Sequence, residues 1–148
     1  MSNLTIHTTV DIHTDADTAW QVFGTDFGSW ADWAPGIDTS TMNGPVQQGA
    51  IRVNETPTLG TVEQRLSHFD PATRALTYEM HGRLPPVFTS VRNEWVIEPV
   101  DGTHCQLVGT AHFALTETAE PMKPQLEGKM GMALEVFAEA FRKHMAAQ

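Results

Sequence analysis

Cysteine is almost absent: Cys105 is the one thiol in 148 residues. A lone thiol builds no intramolecular disulfide framework and suits a reducing compartment. Basic residues are also scarce, nine Lys and Arg against 18 Asp and Glu, for a net charge of −9. Phosphate backbones and anionic lipid surfaces attract basic patches, so this balance argues against nucleic acid and against a peripheral membrane role. No apolar run is long enough to span a bilayer, and Met1-Ser2-Asn3-Leu4 lacks the charged and apolar regions of a secretion signal. A cytoplasmic protein with no integral membrane association is expected. Catalytic signatures are missing as well: there is no Gly-rich phosphate loop, Gly-x-Ser-x-Gly elbow, His-Glu-x-x-His or Cys-x-x-Cys. None of the seven histidines lie three or four apart, so neither a metal nor a cofactor is expected. Cys105 has no obvious base beside it and reads as a small core residue.

What the chain does have is apolar material, 41% of its residues, with no repeat, linker or low-complexity tract to divide it. Residues 1–148 are expected to form one domain with a substantial core. From Leu126 the apolar positions continue at Met130, Ala133, Leu134, Phe137, Phe141 and Met145. Steps of three and four place them on one side of a helix that starts near Pro121 or Pro124 and runs to about Ala147. Gly128 and Gly131 are expected on or near its outer side, where they would loosen that end as a gate or allow close contact with another subunit. The protein is expected as a monomer or a homodimer.

At the other end, residues 4–12 alternate and are rich in β-branched types, as a first strand is. Thr14, with Asp17 three residues on, is the expected cap of a short helix carrying Ala16, Ala19, Trp20 and Phe23 and stopping at Gly24. A second short helix is expected around Trp30 and Trp33, ended by Pro35-Gly36. These two rings either close the core or line the mouth of a cavity.

After Gly36 the period becomes two. Strands are expected at Asp38–Met42 and Ala50–Glu55, the second with either Arg52, or Ile51 and Val53, facing inward. Thr61–Phe69 and Arg74–Gly82 flank the turn Asp70-Pro-Ala-Thr73. Setting Arg65 opposite Glu79 puts Glu63 by His81 and Ser67 by Thr77 on a wet face. Gln64, Leu66 and His68 then fall with Met80, Tyr78 and Leu76 on a drier one. Ser90–Glu98 and His104–Leu115 flank Val100-Asp101-Gly102. A three-residue loop pairs Ile97 with Cys105, Trp95 with Leu107, Asn93 with Gly109 and Val91 with Ala111. The expected class is α+β, with about six to seven antiparallel strands covered by the last helix.

The order and spacing of several segments carry a family likeness. They are Ala19-Trp-Gln-Val-Phe, Asp26-Phe, Trp30, Trp33-Ala-Pro35, Gly49-Ala-Ile-Arg52, Glu63-Gln-Arg-Leu66, Asp70, Arg74, Tyr78, Leu84-Pro-Pro86 and Gly102-Thr103. Nearly the whole chain resembles the SRPBCC superfamily (START or birch-pollen-allergen-like), and within it the polyketide cyclase/dehydrase group. Gln64 departs from the many relatives that carry glutamate there. The resemblance implies a helix-grip fold, a curved sheet wrapped around the C-terminal helix with two short helices after the first strand and a cavity between. It also implies a hydrophobic small molecule as partner, such as a sterol, lipid, aromatic polyketide or plant hormone.

On the dry face Gln64, His68, Tyr78 and Asn93 stand out as polar, and burying such groups unpaired costs roughly 1–3 kcal/mol each. Four of them facing one volume point to an occupied or solvated cavity, unless they pair with one another. The expected wall adds Trp30, Trp33, Met80 and Trp95 from the first half and the sheet. Met130, Leu134, Phe137 and Phe141 come from the helix. Binding of an apolar, ring-containing or lipid-like molecule is the leading reading. A cyclase or dehydratase with Tyr78 or His68 as general acid or base is the second. A protein-interaction or regulatory module with a vestigial cavity is the third.

Overall fold

The computed structural model describes residues 2–148. The first strand, β1, runs Asn3–Ile12, and α1 follows at Ala16–Trp20. Asp15, not Thr14, caps α1: its carboxylate accepts from the Thr18 amide at 2.9 Å and its pKa is held down chiefly by the Thr18 hydroxyl. The helix widens into a π-helical turn at Gln21–Thr25, and a 3₁₀ helix at Phe27–Asp32 carries Trp30. The remaining strands are β2 (Thr39–Met42), β3 (Ile51–Thr56), β4 (Gly60–Asp70), β5 (Ala75–His81), β6 (Phe88–Asp101) and β7 (His104–Leu115). A 3₁₀ turn at Glu117–Met122 leads into the long helix α2, Lys123–Ala146, with Pro124 in its first turn where a missing N–H costs nothing. The seven strands form one curved antiparallel sheet, ordered β1-β7-β6-β5-β4-β3-β2, and α2 packs across its inner face beside β1.

The drier face of the strands and the apolar stripe of α2 are the two surfaces this arrangement must bury. Leu126, Leu134, Phe141 and Met145 are buried, as are Leu66, Leu76, Trp95, Ile97, Leu107 and Leu115 from the sheet. Each such side chain contributes roughly 1.5–3 kcal/mol on leaving water. The Arg65–Glu79 pair forms at 3.5 Å on the outer face. With both side chains nearly half exposed it is worth under about 1 kcal/mol.

Two bulges alter the expected registers. In the β4–β5 hairpin, Leu66 pairs with Tyr78 as expected, but Ser67 is extra and His68 pairs with Thr77. The added residue restarts the alternation, so Phe69 pairs with Leu76 and turns inward against Trp20, while His68 turns out and is exposed. In the β6–β7 hairpin, Asp101 faces His104 and its carboxylate accepts from both the amide and the hydroxyl of Thr103, closing a two-residue turn. With the bulge at Val100, this slides the pairing by two residues: Ile97 lies opposite Leu107, Trp95 opposite Gly109, Asn93 opposite Ala111 and Val91 opposite Phe113. A slip of two keeps every side chain on its face. What changes is the role of Gly109, which leaves room for the Trp95 ring: a Cβ there would run into Trp95 Cζ3.

On α2, Gly131 does not face outward; a Cβ on it would touch Ile6 of β1 at 3.9 Å, whereas one on Gly128 meets nothing. Gly109→Ala should therefore destabilise the protein by about 1–3 kcal/mol through overpacking against Trp95. Gly128→Ala should stabilise it by about 0.5–1 kcal/mol through reduced chain entropy in the unfolded state. Denaturant titration of the two variants checks both signs.

Candidate functional site

The interior between sheet and helices is divided unequally. On the side of the short helices it is filled. Phe23, Phe27 and Trp30 are fully buried, and the Trp30 indole N–H donates to the Phe23 carbonyl at 2.9 Å. Trp33, half-buried, packs on Phe137 and Phe141 at 5.1 Å each. Aromatic rings at these spacings attract one another beyond the area they bury.

The same half holds Arg52, whose side the strand pattern left open. It points inward and is fully buried, with Asn54 two residues on almost as deep. Its Nε donates to Gln64 Oε1 at 3.0 Å, its Nη2 donates to the same oxygen, and Nη1 donates to the Phe27 carbonyl at 2.8 Å. Asn54 adds a further donor to Gln64 Oε1 at 3.0 Å and accepts from the Ser40 hydroxyl. The guanidinium lies 3.7 Å from the Phe27 ring centre and 4.2 Å from that of Trp30, distances for strong cation–π attraction. No carboxylate pairs with it among the described residues. Burial pushes its pKa down to about 10, with Tyr78 partly opposing the shift, so it stays charged at neutral pH.

Tyr78 lies between Arg52 and open space. Burial pushes its hydroxyl up, against the pull of the Arg52 charge and of the Trp95 and Arg52 donors turned toward it, so at neutral pH it is a proton donor. The Trp95 Nε1–H is buried and has no hydrogen-bond partner. Beyond them is a cavity of about 180 Å³ lined by Tyr78, Asn93, Trp95, Ala111, Phe113, Met130, Ala133, Leu134 and Phe137. Phe113 also borders a hollow of about 430 Å³ that includes Met80, Leu84 and Val91, where β5 and β6 part after the Glu79–Arg92 pair.

Six of the expected site residues thus meet around one volume: Tyr78, Asn93, Trp95, Met130, Leu134 and Phe137. Met80 borders the neighbouring hollow instead. Trp30 and Phe141 are fully buried core, Trp33 is helix packing, and Gln64 is taken up by Arg52. His68 is outside, displaced by the Ser67 bulge. Arg52, whose side the alternation leaves open, faces inward. Its signal lay in Asn54 two positions on and in Gln64 directly across the β3–β4 pair, a polar set on one inner face. A concavity of about 760 Å³ is a groove on the other side of the helix, between β1 and residues such as Val136 and Lys143. It gathers no buried polar group. No cluster of His, Cys, Asp and Glu fit for a metal occurs among the described residues, and no helix there is long and apolar enough to cross a membrane. Cys105 is buried and its thiol is pushed up to about 11 by desolvation, which keeps it protonated.

Arg52→Ala removes the donors that satisfy Gln64 and the Phe27 carbonyl and leaves a hole among aromatic rings. It should cost more than about 3 kcal/mol of stability. Arg92→Ala on the outer face should cost less than about 0.5 kcal/mol. Denaturant midpoints of the two variants check the contrast.

Comparison with known proteins agrees with this architecture. The Zhui aromatase/cyclase from Streptomyces sp. R1128 is 19% identical with a TM-score of 0.79, over 98% of this chain and 94% of that one. Norcoclaurine synthase from Thalictrum flavum, solved with dopamine and hydroxybenzaldehyde, is 17% identical with a TM-score of 0.77, over 99% and 88%. A Thermobifida fusca protein solved in solution by NMR is 28% identical with a TM-score of 0.76, over 93% and 92%. No curated protein matches the chain. The family model for polyketide cyclase / dehydrase and lipid transport matches residues 3–146. A match over nearly the full length, on a seven-stranded sheet closed by one long helix, makes the chain a member of that family and of the SRPBCC helix-grip proteins.

Proposed function

We propose that the protein binds a small apolar molecule built on a single ring with one polar substituent. The observation that carries this reading is the cavity of about 180 Å³ with Tyr78 and Asn93 as its polar lining and Trp95, Met130, Leu134 and Phe137 along its wall. An apolar cavity of about 150 Å³ accommodates benzene, so the volume fits one ring. A larger lipid or multi-ring ligand would need the adjoining hollow past Phe113 as well. Family membership supports a role in binding or cyclase-type chemistry on such molecules and does not choose between them.

A cyclase- or dehydratase-type reaction is the second reading. What favours it is the Tyr78 hydroxyl in the cavity with the Arg52 charge behind it, an arrangement suited to protonating or polarising a carbonyl oxygen. No histidine or carboxylate lines the cavity to act as its base, and binding therefore stands first.

Native mass spectrometry with a panel of single-ring compounds tests binding. Ala133→Trp, at the exposed wall of the cavity, should abolish binding and change stability by less than about 0.5 kcal/mol. Retained binding in that variant would place the ligand elsewhere. Under the enzymatic reading, Tyr78→Phe should lower turnover of a candidate substrate by about 10²–10⁴-fold and leave its binding nearly intact. Unchanged turnover would remove Tyr78 from the chemistry.

A further inference from the structure

The outer side of α2 carries apolar side chains that nothing in the chain covers. Met132 is 68% exposed and Val136, one turn on, is 50% exposed. Lys129, Met132, Val136, Glu139 and Lys143 follow one another in steps of three and four, on the side of the helix away from the buried Leu134 and Phe141. That is the spacing of a seam along which a second helix packs. Small residues flank it. Gly128, where an added Cβ meets nothing, lies on one flank, and the exposed Ala133 lies on the other.

The seam reads alike from either end. When a second copy of α2 is laid antiparallel about a point midway between Met132 and Val136, Met132 falls opposite Val136 of the copy and Lys129 falls opposite Glu139. A two-fold axis makes each contact twice. Lys129 has no carboxylate in ion-pair range among the described residues of its own chain. Glu139 is held by Arg142, and a carboxylate has room for a further donor. A parallel arrangement would set Lys129 against Lys129 and Glu139 against Glu139. An anionic surface is a poor occupant, because Glu139 lies in the seam, Glu135 beside it, and the chain carries nine net negative charges. Glu135 also lies on the Gly128 flank close to the axis, where it meets its own copy and limits the strength of the contact. On the opposite flank Ala133 belongs to the cavity wall, so a helix seated on the seam borders the open side of the cavity.

We propose that the outer seam of α2 is the contact between two copies of this chain, packed antiparallel about a two-fold axis between Met132 and Val136. Two apolar side chains and one ion pair from each copy make a small interface, of the size class that associates weakly and reversibly.

Sedimentation equilibrium over about 10 µM to about 1 mM tests it, with circular dichroism as the check on folding. The protein should pass from monomer to dimer across that range; a monomer throughout overturns the proposal. Val136→Glu, at an exposed position, should abolish the dimer, and an undiminished dimer in that variant overturns the assignment to α2. Lys129→Glu and Glu139→Lys should each weaken self-association by about tenfold or more, since each sets like charges face to face. An equimolar mixture of the two variants should dimerise, because both ion pairs are restored only across unlike copies. Glu135→Gln should tighten the dimer several-fold. A mixture that stays monomeric, or no tightening in Glu135→Gln, overturns the antiparallel register.

Discussion

The structure turns on one buried guanidinium. Arg52 enters the interior from β3 and is held by a glutamine, a backbone carbonyl and the faces of aromatic rings, with no carboxylate opposite. A point-charged ammonium would not serve as well, because the planar guanidinium both stacks on Phe27 and Trp30 and donates in its own plane to Gln64 and Phe27. These bonds tie the sheet to the 3₁₀ helix across the core. They also consume Gln64, Trp30 and Phe27, closing that half of the space between sheet and helix. The opening that remains lies along the first half of α2.

That division explains why a fold shared with proteins of varied chemistry leaves only a modest cavity here. The short helices contribute rings that fill the interior, and Gly109 lets Trp95 sit flush against β7. The cavity keeps one polar end and an apolar wall, and its polar end inherits the field of Arg52 through Tyr78. The net acidity of the chain, read from composition, concerns its outer surface. Its most consequential charge is a positive one, inside.

Much of the fold was legible because it obeys simple periods. The steps of three and four in α2 placed Leu126, Leu134, Phe141 and Met145 on the buried side, and the alternation in β4 to β7 sorted inner from outer residues. The β6–β7 pairing was wrong by two residues, yet its faces survived because a slip of two preserves them. The β4–β5 bulge was the costlier miss. One extra residue at Ser67 turned His68 from an expected acid or base into a surface side chain, and nothing local in Leu66-Ser67-His68 announces it. Of the expected site residues, those on long regular elements, namely Tyr78, Asn93, Trp95, Met130, Leu134 and Phe137, line one cavity. The side of Arg52 stayed open, because arginine on a strand normally faces water and Ile51 and Val53 compete for the inner face. Only the β3–β4 register, which places Arg52 across from Gln64, decides it.

A crystal structure with a single-ring phenol bound tests the central claim most directly. The account predicts the ring in the inner cavity between Tyr78 and Phe137, with Arg52 unmoved behind Tyr78. A ring seated in the outer groove between β1 and α2, with the inner cavity empty, would contradict it.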